Sequence, residues 1–338
     1  MFGYFMRPFV IFVISFFLVS CDDSDSTSST LSINEVQKSA SGWPRSIMTS
    51  KGLLTLEKAP QRIVSTSVTL SGTLLAIHAP LIASGATTPN TTVAGEQGFM
   101  RQWESLAMQR GVVPLYQTEP NAEAIINANP DLIIISATSG DSAIKLYEQL
   151  KDIAPTLVIG YDDKSWMQLA QIFGDLFGLE AQAKNVIDDF QVHLQKTKEQ
   201  ITLPPQPTTA MVYYQDGSGA NIWTAESAQG RLLLELGFSL AVVPESIKGN
   251  ISMGKRNDIV IATGERFPDG LTGESILLFS ASQKRVKQLT ENSYLASVKA
   301  VQDKQVYAVG NDTFRLDYYS STNLLTRLNT LFGQPVHE

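Results

Sequence analysis

The triplet Gly140-Asp141-Ser142 is the first place in the chain where residue types suggest catalysis. A serine hydroxyl becomes an effective nucleophile when a neighbouring base removes its proton. The histidines that follow are His193 and His337, and neither stands in an Asp-x-x-His motif that could supply this base. Asp and Ser are also favoured caps at the start of a helix. We therefore interpret Asp141 or Ser142 as a helix cap and keep a lipid-anchored hydrolase that uses Ser142 as an alternative of a different class.

Residues 249–256 are similar to a nucleotide-binding phosphate loop, with the sequence Gly-Asn-Ile-Ser-Met-Gly-Lys-Arg. The last position of such a loop carries Ser or Thr, whose hydroxyl binds magnesium. Arg256 cannot bind a cation in this way, and no clear strand precedes the segment. The sequence therefore gives no support for nucleotide binding.

Direct metal binding is also poorly supported by the residue types present. Transition-metal sites combine several His, Cys or carboxylate ligands, whereas His78, His193 and His337 are far apart in the sequence. We expect no metal site built from protein ligands and no resident cofactor. A protein of this composition that handles a metal should bind it already enclosed in a chelator.

Cys21 is the single cysteine, and it follows an apolar run over residues 9–19 that has a basic residue, Arg7, before it. This order is typical of a secretory signal peptide, and the run is too short to span a bilayer, which takes about 20 residues. Leu18-Val19-Ser20-Cys21 resembles the lipobox of bacterial lipoproteins, in which the cysteine becomes the lipidated first residue. We predict a signal peptide over 1–20 and lipid attachment at Cys21. The alternative is an ordinary signal peptide in which the cysteine occurs by chance.

The composition is that of a folded, acidic protein with two domains. The chain has 338 residues, of which 43% are hydrophobic and 17% charged, and its net charge is -7. These values are typical of a globular fold, the length suggests two domains, and the acidic balance argues against nucleic-acid binding. Residues 22–41 are rich in Ser, Thr and Asp. We predict that 21–42 form a lipidated cysteine with a flexible tether and that folded structure begins at Trp43.

Short apolar strands alternate with helices after Trp43. A Lys-Gly pair at 51–52 between two apolar runs predicts a hairpin over 47–56. Continuous apolar strands separated by helices are typical of a sheet that is covered on both faces. The predicted strands are 62–65, 82–85, 130–135 and 156–159, and the predicted helices are 70–77, 121–128 and 142–153. We assign 43–165 to an N-terminal α/β lobe.

Two helices separate this lobe from a second one. Apolar residues at helical spacing predict a helix over 166–177 and a longer one of about 21 residues from Glu180, which the prolines after Leu203 end. The β/α pattern then returns, with strands at 210–214, 258–262, 276–279 and 305–309 and helices at 230–236 and 319–331. We therefore predict two α/β lobes joined by a single long helix, with 166–203 as connecting helices and 204–338 as the C-terminal lobe. Ligands of such sheets bind beyond the carboxyl ends of the strands, so the groove between the lobes is the expected site.

Five segments resemble the periplasmic ferric enterobactin-binding proteins of ABC importers, within the wider family of siderophore substrate-binding proteins. They are 60–70 (PQRIVSTSVTL), 82–90 (IASGATTPN), 97–103 (QGFMRQW), 159–166 (IGYDDKSW) and 313–320 (TFRLDYYS). The likeness runs from about Trp43 to Phe332, and the chain departs from it at Cys21, where the family has a plain cleaved signal. It implies a class III-like substrate-binding fold, no enzymatic activity, a periplasmic location, a ferric catecholate as ligand, and an ABC permease with its ATPase as partners.

A ferric tris-catecholate is a large aromatic trianion, and this sets the chemistry of the implied site. Arginine suits it because the guanidinium is planar, weakly hydrated and always charged, and aromatic side chains add stacking and cation–π contacts. We expect Trp223 in the loop after the first strand of the second lobe, and Tyr318 or Tyr319 at the start of the last helix. The residues that we expect to bind the ligand are Arg101, Trp103, Trp223, Arg256, Arg315 and Tyr318.

Two acids have an implied role in docking to the permease. Glu123 resembles the glutamate with which the N-terminal lobe of the family docks on permease arginines, and Glu265 holds the corresponding place on the second lobe by a looser match. One acid on each lobe would let the permease sense the separation of the lobes. We expect a monomer that is lipid-anchored to a membrane in the periplasm. A haem- or cobalamin-binding protein is the alternative, in which Tyr214 or Tyr318 would be a candidate haem ligand.

Overall fold

The computed structural model of the chain describes Met1 and residues 35–137, 142–247 and 257–334. The predicted lipid attachment at Cys21, the predicted ligand contact of Arg256 and the loop over 249–256 lie outside these residues. Within the described part of the chain, no helix has both the length and the apolar character needed to cross a membrane.

A three-stranded antiparallel sheet begins the described fold, with β1 at Val36–Lys38, β2 at Arg45–Thr49 and β3 at Gly52–Leu56. The strands β2 and β3 form the predicted hairpin, in which Ile47 pairs with Leu54. The turn residue Gly52 has φ +101°, a conformation that glycine adopts without a steric penalty.

The strand β1 lies inside the segment expected to be tether, so the prediction that folded structure begins at Trp43 is corrected. The strand pairs with β2, and Lys38 Nζ lies 2.6 Å from Asp175 Oδ1 and 2.8 Å from Glu180 Oε1. Arg45 Nη1 joins the same cluster at 2.7 Å from Glu180 Oε1. The acids are 137 and 142 positions from Lys38, which is why a polar local pattern gave no sign of the strand.

Five parallel strands form the N-terminal sheet: β4 Ile63–Ser65, β5 Leu81–Ala86, β6 Val113–Gln117, β7 Leu132–Ser136 and β8 Thr156–Ile159. Their order across the sheet is β6-β5-β4-β7-β8. Every residue of β4, β7 and β8 is buried, as expected for a parallel sheet with both faces covered. The four predicted strands are confirmed, and β6 is a strand that the sequence pattern did not indicate.

The helices of this lobe are α1 Val68–Ala76, α2 Glu104–Gln109, α3 Ala122–Asn127 and α4 Tyr147–Leu150. The helix expected over 142–153 is instead a 3₁₀ turn at Ile144–Leu146 followed by α4. The predicted helix cap at Ser142 is wrong, because the 3₁₀ turn has Ala143 as its cap residue without a side-chain cap bond; the Ser142 Oγ instead donates to the Ser136 carbonyl at 2.7 Å and accepts from the Ile144 amide at 3.2 Å. These two bonds fix the serine as part of a turn. The alternative cap, Asp141, lies outside the described residues.

Two helices connect the lobes, α5 at Trp166–Phe177 and α6 at Glu180–Gln200. Ser165 and Gln168 form a capping box at the start of α5, and Gly178 ends it in the left-handed region with φ +78°. The 21 residues of α6 give a helix of about 32 Å. The predicted single long helix is confirmed at this length.

The C-terminal sheet has the strands β9 Thr208–Tyr213, β10 Gly219–Trp223, β11 Ile259–Thr263, β12 Ser275–Leu278 and β13 Val306–Ala308. Their order is β11-β10-β9-β12-β13, and β10 runs antiparallel to both of its neighbours. The helices are α7 Ala228–Glu235, α8 Gln283–Thr290, α9 Lys299–Gln302 and α10 Tyr318–Phe332.

Two sheets, each with helices against it, confirm the predicted architecture of two α/β lobes. The last helix, α10, packs against α6 and α1, so the C-terminal end of the chain returns to the connecting helices and to the N-terminal lobe. The segment that leads into α10 therefore lies where the two lobes meet. This placement brings residues 314–318 to the groove in which a ligand was expected.

Candidate ligand-binding cleft

A cleft lies between the lobes and is lined from both sides. The N-terminal lobe contributes Tyr161 and Lys164, which follow the carboxyl end of β8, and the C-terminal half of the chain contributes Trp223, Phe314 and Arg315. The enclosed space at this point is small, about 40 Å³. A larger opening of about 370 Å³ lies at the carboxyl ends of β9 and β12, and its wall includes Thr92 of the N-terminal lobe, the exposed Lys284 and the half-buried Arg285 of α8.

Arg315 is held by aromatic rings and lines the cleft. Its guanidinium carbon lies 4.8 Å from the ring centre of Phe314 and 5.2 Å from that of Tyr161, so one ring comes from each side of the cleft. No ion pair involves Arg315 among the residues that the structure describes. Cation–π contacts position the guanidinium without neutralising it, and its hydrogen-bond donors stay available to an anion.

Arg101 uses part of its guanidinium to hold a loop. Its Nε and Nη2 donate to the Thr91 carbonyl at 3.0 and 2.7 Å, and its backbone amide donates to the Val93 carbonyl at 3.1 Å. The side chain is exposed. Its neighbours Met100 and Gln102 line a cavity of about 20 Å³ together with Arg315. The structure thus places Arg101 beside the cleft, with two of its guanidinium nitrogens, Nε and Nη2, already hydrogen-bonded to the loop.

Trp103 lies in the core of the N-terminal lobe, which corrects the expectation that it contacts the ligand. It is 1% exposed, and its ring centre lies 5.3 Å from that of Phe99. A side chain that fills the core cannot also offer its face to a large ligand. Its Nε1 is buried and has no hydrogen-bond partner among the described residues.

Trp223 and Tyr318 have different surroundings, although both were expected at the ligand. Trp223 is the last residue of β10 and not part of a loop; it lines the cleft, and its ring centre lies 6.0 Å from that of Phe314. Tyr318 begins α10, and its ring lies edge-on to Trp166 at 5.5 Å and to Tyr319 at 5.2 Å. Internal ring contacts therefore occupy much of Tyr318. Trp223 lines the cleft floor but is only 3% exposed, so it has little ring surface free to stack on a ligand.

Sequence reasoning missed two residues of the cleft, Tyr161 and Lys164. Both stand just after the carboxyl end of β8, so the rule that ligands bind beyond strand ends could have found them. The Lys164 side chain is only 10% exposed, and its Nζ lies 2.6 Å from Asp163 Oδ1. This lysine stands in the wall that carries Arg315, with its charge paired to Asp163.

Asp317 joins the two lobes at the base of the cleft. It caps α10, accepting from the Ser320 amide at 2.8 Å, and its other oxygen accepts from Gln102 Nε2 of the N-terminal lobe at 3.1 Å. The residue is 4% exposed. Removal from water raises the pKa of this carboxyl to about 6, against the opposing effect of these hydrogen bonds.

The predicted docking acids are exposed and stand on different lobes. Glu123 lies in the first turn of α3, and Glu265 follows Gly264 beyond the end of β11. Neither forms an ion pair with another described residue. Both carboxylates are therefore accessible to a protein partner.

The residues considered for haem or direct metal binding form hydrogen bonds with other protein groups. Tyr214 donates to Asn221 Oδ1 at 2.7 Å, and burial raises the pKa of its phenol, which disfavours the phenolate that haem iron would need. His78 Nδ1 lies 3.3 Å from Arg110 Nη2. Across the described ranges, no group of three or more His, Cys, Asp or Glu residues is arranged to hold a metal ion.

Comparison with known proteins identifies the family. Residues 63–313 match the periplasmic binding protein family. The ferric enterobactin-binding periplasmic protein of Escherichia coli O6:H1 is 55% identical over 293 residues, which cover 87% of this chain and 92% of that protein. The Fe(3+)-citrate-binding protein of Bacillus subtilis is 26% identical over 313 residues, or 90% of each chain.

Solved structures share the same fold. The structure of holo-ViuP matches with a TM-score of 0.78 and 32% identity, over 86% of this chain and 96% of that one. The triscatecholate siderophore-binding protein FeuA of Bacillus subtilis, solved with ferri-bacillibactin, matches with a TM-score of 0.60 and 17% identity, over 81% of this chain and 93% of that one. The fold and the expectation of a binding protein that is not an enzyme are thereby confirmed: the chain belongs to the periplasmic binding protein family.

Proposed function

We propose that the cleft binds a ferric catecholate siderophore, ferric enterobactin or a close relative, and that the protein delivers it to an inner-membrane ABC permease driven by its ATPase. The observation that carries this proposal is Arg315, a cation without an ionic partner among the described residues, held between Tyr161 and Phe314 at the meeting of the lobes. The 55% identity to a ferric enterobactin-binding protein supports the same ligand.

The chemistry of the cleft suits a chelate better than a bare ion. A cation framed by aromatic rings attracts an anionic ligand with a flat aromatic surface, whereas free iron would need several oxygen or nitrogen ligands from the protein. We propose that iron enters only inside its chelator, with the guanidinium groups of Arg101 and Arg315 on the catecholate oxygens and Trp223 in the floor beneath the ligand. Arg256 completes this proposed set from outside the described residues.

The location and partners extend the proposal. We propose that Cys21 carries a lipid that keeps the protein at a membrane in the periplasm, and that the protein acts as a monomer. Glu123 and Glu265 would contact permease arginines from the two lobes, because both carboxylates are exposed and unpaired in the described structure. A permease that binds both acids could distinguish lobe separations.

Quenching of intrinsic tryptophan fluorescence tests the ligand. Trp223 lines the cleft, so bound ferric enterobactin, an intensely coloured chelate, should quench its emission at submicromolar concentration. A ferric hydroxamate of similar size but without the negative charge is the matched control and should quench only at much higher concentration. Absence of a response to every ferric catecholate, cyclic or linear, would refute the proposed ligand.

A further inference from the structure

A second cavity, of about 310 Å³, lies behind the cleft where the connecting helices meet the C-terminal lobe. Trp166 of α5 and Phe190 of α6 form one wall, and Leu232 of α7 faces them. All three side chains are buried, and the two rings meet edge-on at 5.0 Å. The volume is at the lower end of the ~300–1,000 Å³ of small-molecule sites, and the wall suits an aromatic ring.

Two polar side chains of this cavity, Arg231 and Ser321, have buried atoms without a hydrogen-bond partner among the described residues. Arg231 lines it, and its Nη1 donates to the Glu226 carbonyl. Its Nε and Nη2 are buried without a hydrogen-bond partner among the described residues, and the same holds for Ser321 Oγ, whose residue is fully buried. Buried donors are nearly always satisfied, and a charged one is costly to leave unpaired. The adjoining cavity is the space from which an acceptor can approach, after a small turn of the guanidinium.

The charges limit what the acceptor can be. Arg231 is the cation of the wall, and Glu235 stands at the exposed rim of the same cavity. Partial burial raises the pKa of Glu235, and the positive charges of Arg231 and Lys198 oppose that rise. No ion pair joins Arg231 to Glu235 in the described structure. One cation with an acid at the rim favours a single negative charge over a dianion.

We propose that this cavity is a second binding site that takes a small aromatic monocarboxylate, with the ring between Trp166, Phe190 and Leu232 and the carboxylate on Arg231 and Ser321. The planar guanidinium pairs with a carboxylate through two parallel hydrogen bonds. The site adjoins the siderophore cleft, and Trp166, Ala228 and Leu316 line both cavities, whereas Arg231 and Ser321 line this one and not the cleft. The proposal does not depend on the identity of the siderophore.

Benzoate is the probe, with benzamide as its neutral isostere, in ligand-observed NMR titrations of the protein. A ligand of this size should bind with a Kd of about 0.1–1 mM. Arg231→Met should weaken benzoate binding by about tenfold or more, and Ser321→Ala by about two- to fivefold. Benzamide should bind much more weakly than benzoate. Melting temperatures of the two variants confirm that they are folded, and Ser321→Ala carries the test if Arg231→Met is not.

Two control variants separate this site from the cleft and from general surface charge. Arg266→Met removes an exposed arginine that pairs with Asp269, and Arg315→Ala removes the cation of the cleft; benzoate affinity should be unchanged in both. The proposal is overturned if the wild type shows no benzoate binding up to about ten times the expected Kd. Equal affinity of the wild type for benzamide and benzoate would overturn it as well. So would a benzoate affinity that falls in Arg315→Ala but is unchanged in both Arg231→Met and Ser321→Ala.

Discussion

Replacement of Arg315 by alanine is expected to weaken the binding of ferric enterobactin by about 30- to 1,000-fold. The guanidinium has no ionic partner in the described structure and faces the cleft between Tyr161 and Phe314. An anionic chelate would therefore gain one or two charge-assisted hydrogen bonds, each worth about 1.5–3 kcal/mol. A net loss of about 2–4 kcal/mol corresponds to that range of affinity, at about 1.4 kcal/mol for each factor of ten.

The same substitution should leave the fold almost as stable as before. Arg315 is half-buried, and its contacts with protein groups are the two ring faces, each worth about 0.5–1 kcal/mol at a partly exposed site. A loss of this size shifts the melting temperature of a chain this long by only a few degrees, about 2–4 °C per kcal/mol or less.

Fluorescence titration and thermal unfolding together check the result. Arg266→Ala is the matched control, because it removes an exposed arginine of the C-terminal lobe that pairs with Asp269; both its affinity and its melting temperature should stay at wild-type values. A large fall in the melting temperature of Arg315→Ala with unchanged affinity would mark the residue as structural and refute the reasoning.

Three further predictions follow from other residues. Glu123→Ala should abolish siderophore import while leaving ligand affinity intact, because the carboxylate is exposed on α3 away from the cleft; an unchanged uptake rate in cells would exclude its docking role. Lys164→Met should weaken binding by about two- to tenfold, less than Arg315→Ala, since Asp163 already compensates the lysine; a loss as large as that of Arg315→Ala, measured in the same titration, would contradict this. Asp317 has a pKa of about 6 in the folded protein, so its contribution to the free energy of unfolding is complete below about pH 4 and is lost as pH rises through 6, a change of about 3 kcal/mol. Asp317→Asn keeps the helix cap and should remove this part of the pH dependence of the free energy of unfolding, measured in denaturant melts between pH 4 and 7. If that free energy changes with pH equally in the variant and the wild type, the proposed titration of Asp317 is contradicted.

Local patterns predicted the connecting helices well because every determinant is close in sequence. In α5, apolar residues at helical spacing are bounded by the Ser165–Gln168 capping box and by Gly178 in the left-handed region. The prolines after Leu203 mark the end of the connecting segment. Such signals need no knowledge of the tertiary structure, so these boundaries agree with the observed ones.

Elements that depend on distant partners could not be predicted in this way. The strand β1 is polar and short, and it is fixed by pairing with β2 and by Lys38 on the acids of α5 and α6. The strand β10 carries Asn221 at its centre and lies between two antiparallel neighbours. Neither has the continuous apolar run by which β7 was recognised.

The candidate site shows the same division between local and tertiary information. Residue type singled out Arg315 as a suitable cation, and the strand-end rule placed it at the cleft. Sequence could not distinguish Trp103 from Trp223, because both stand among mixed neighbours, and only packing shows that Trp103 is in the core beside Phe99 while Trp223 lines the cleft. The hydrogen bonds from Arg101 to the Thr91 carbonyl also depend on a loop conformation that residue spacing does not predict.

Anomalous diffraction at the iron edge from crystals grown with ferric enterobactin tests the central claim most directly. We predict one iron peak in the cleft, enclosed by catecholate oxygens, with the guanidinium of Arg315 within hydrogen-bond distance of those oxygens and no protein atom in the coordination sphere. An iron bound directly by protein side chains, or a chelate bound while the guanidinium groups of Arg101 and Arg315 both point away from it, would contradict the account.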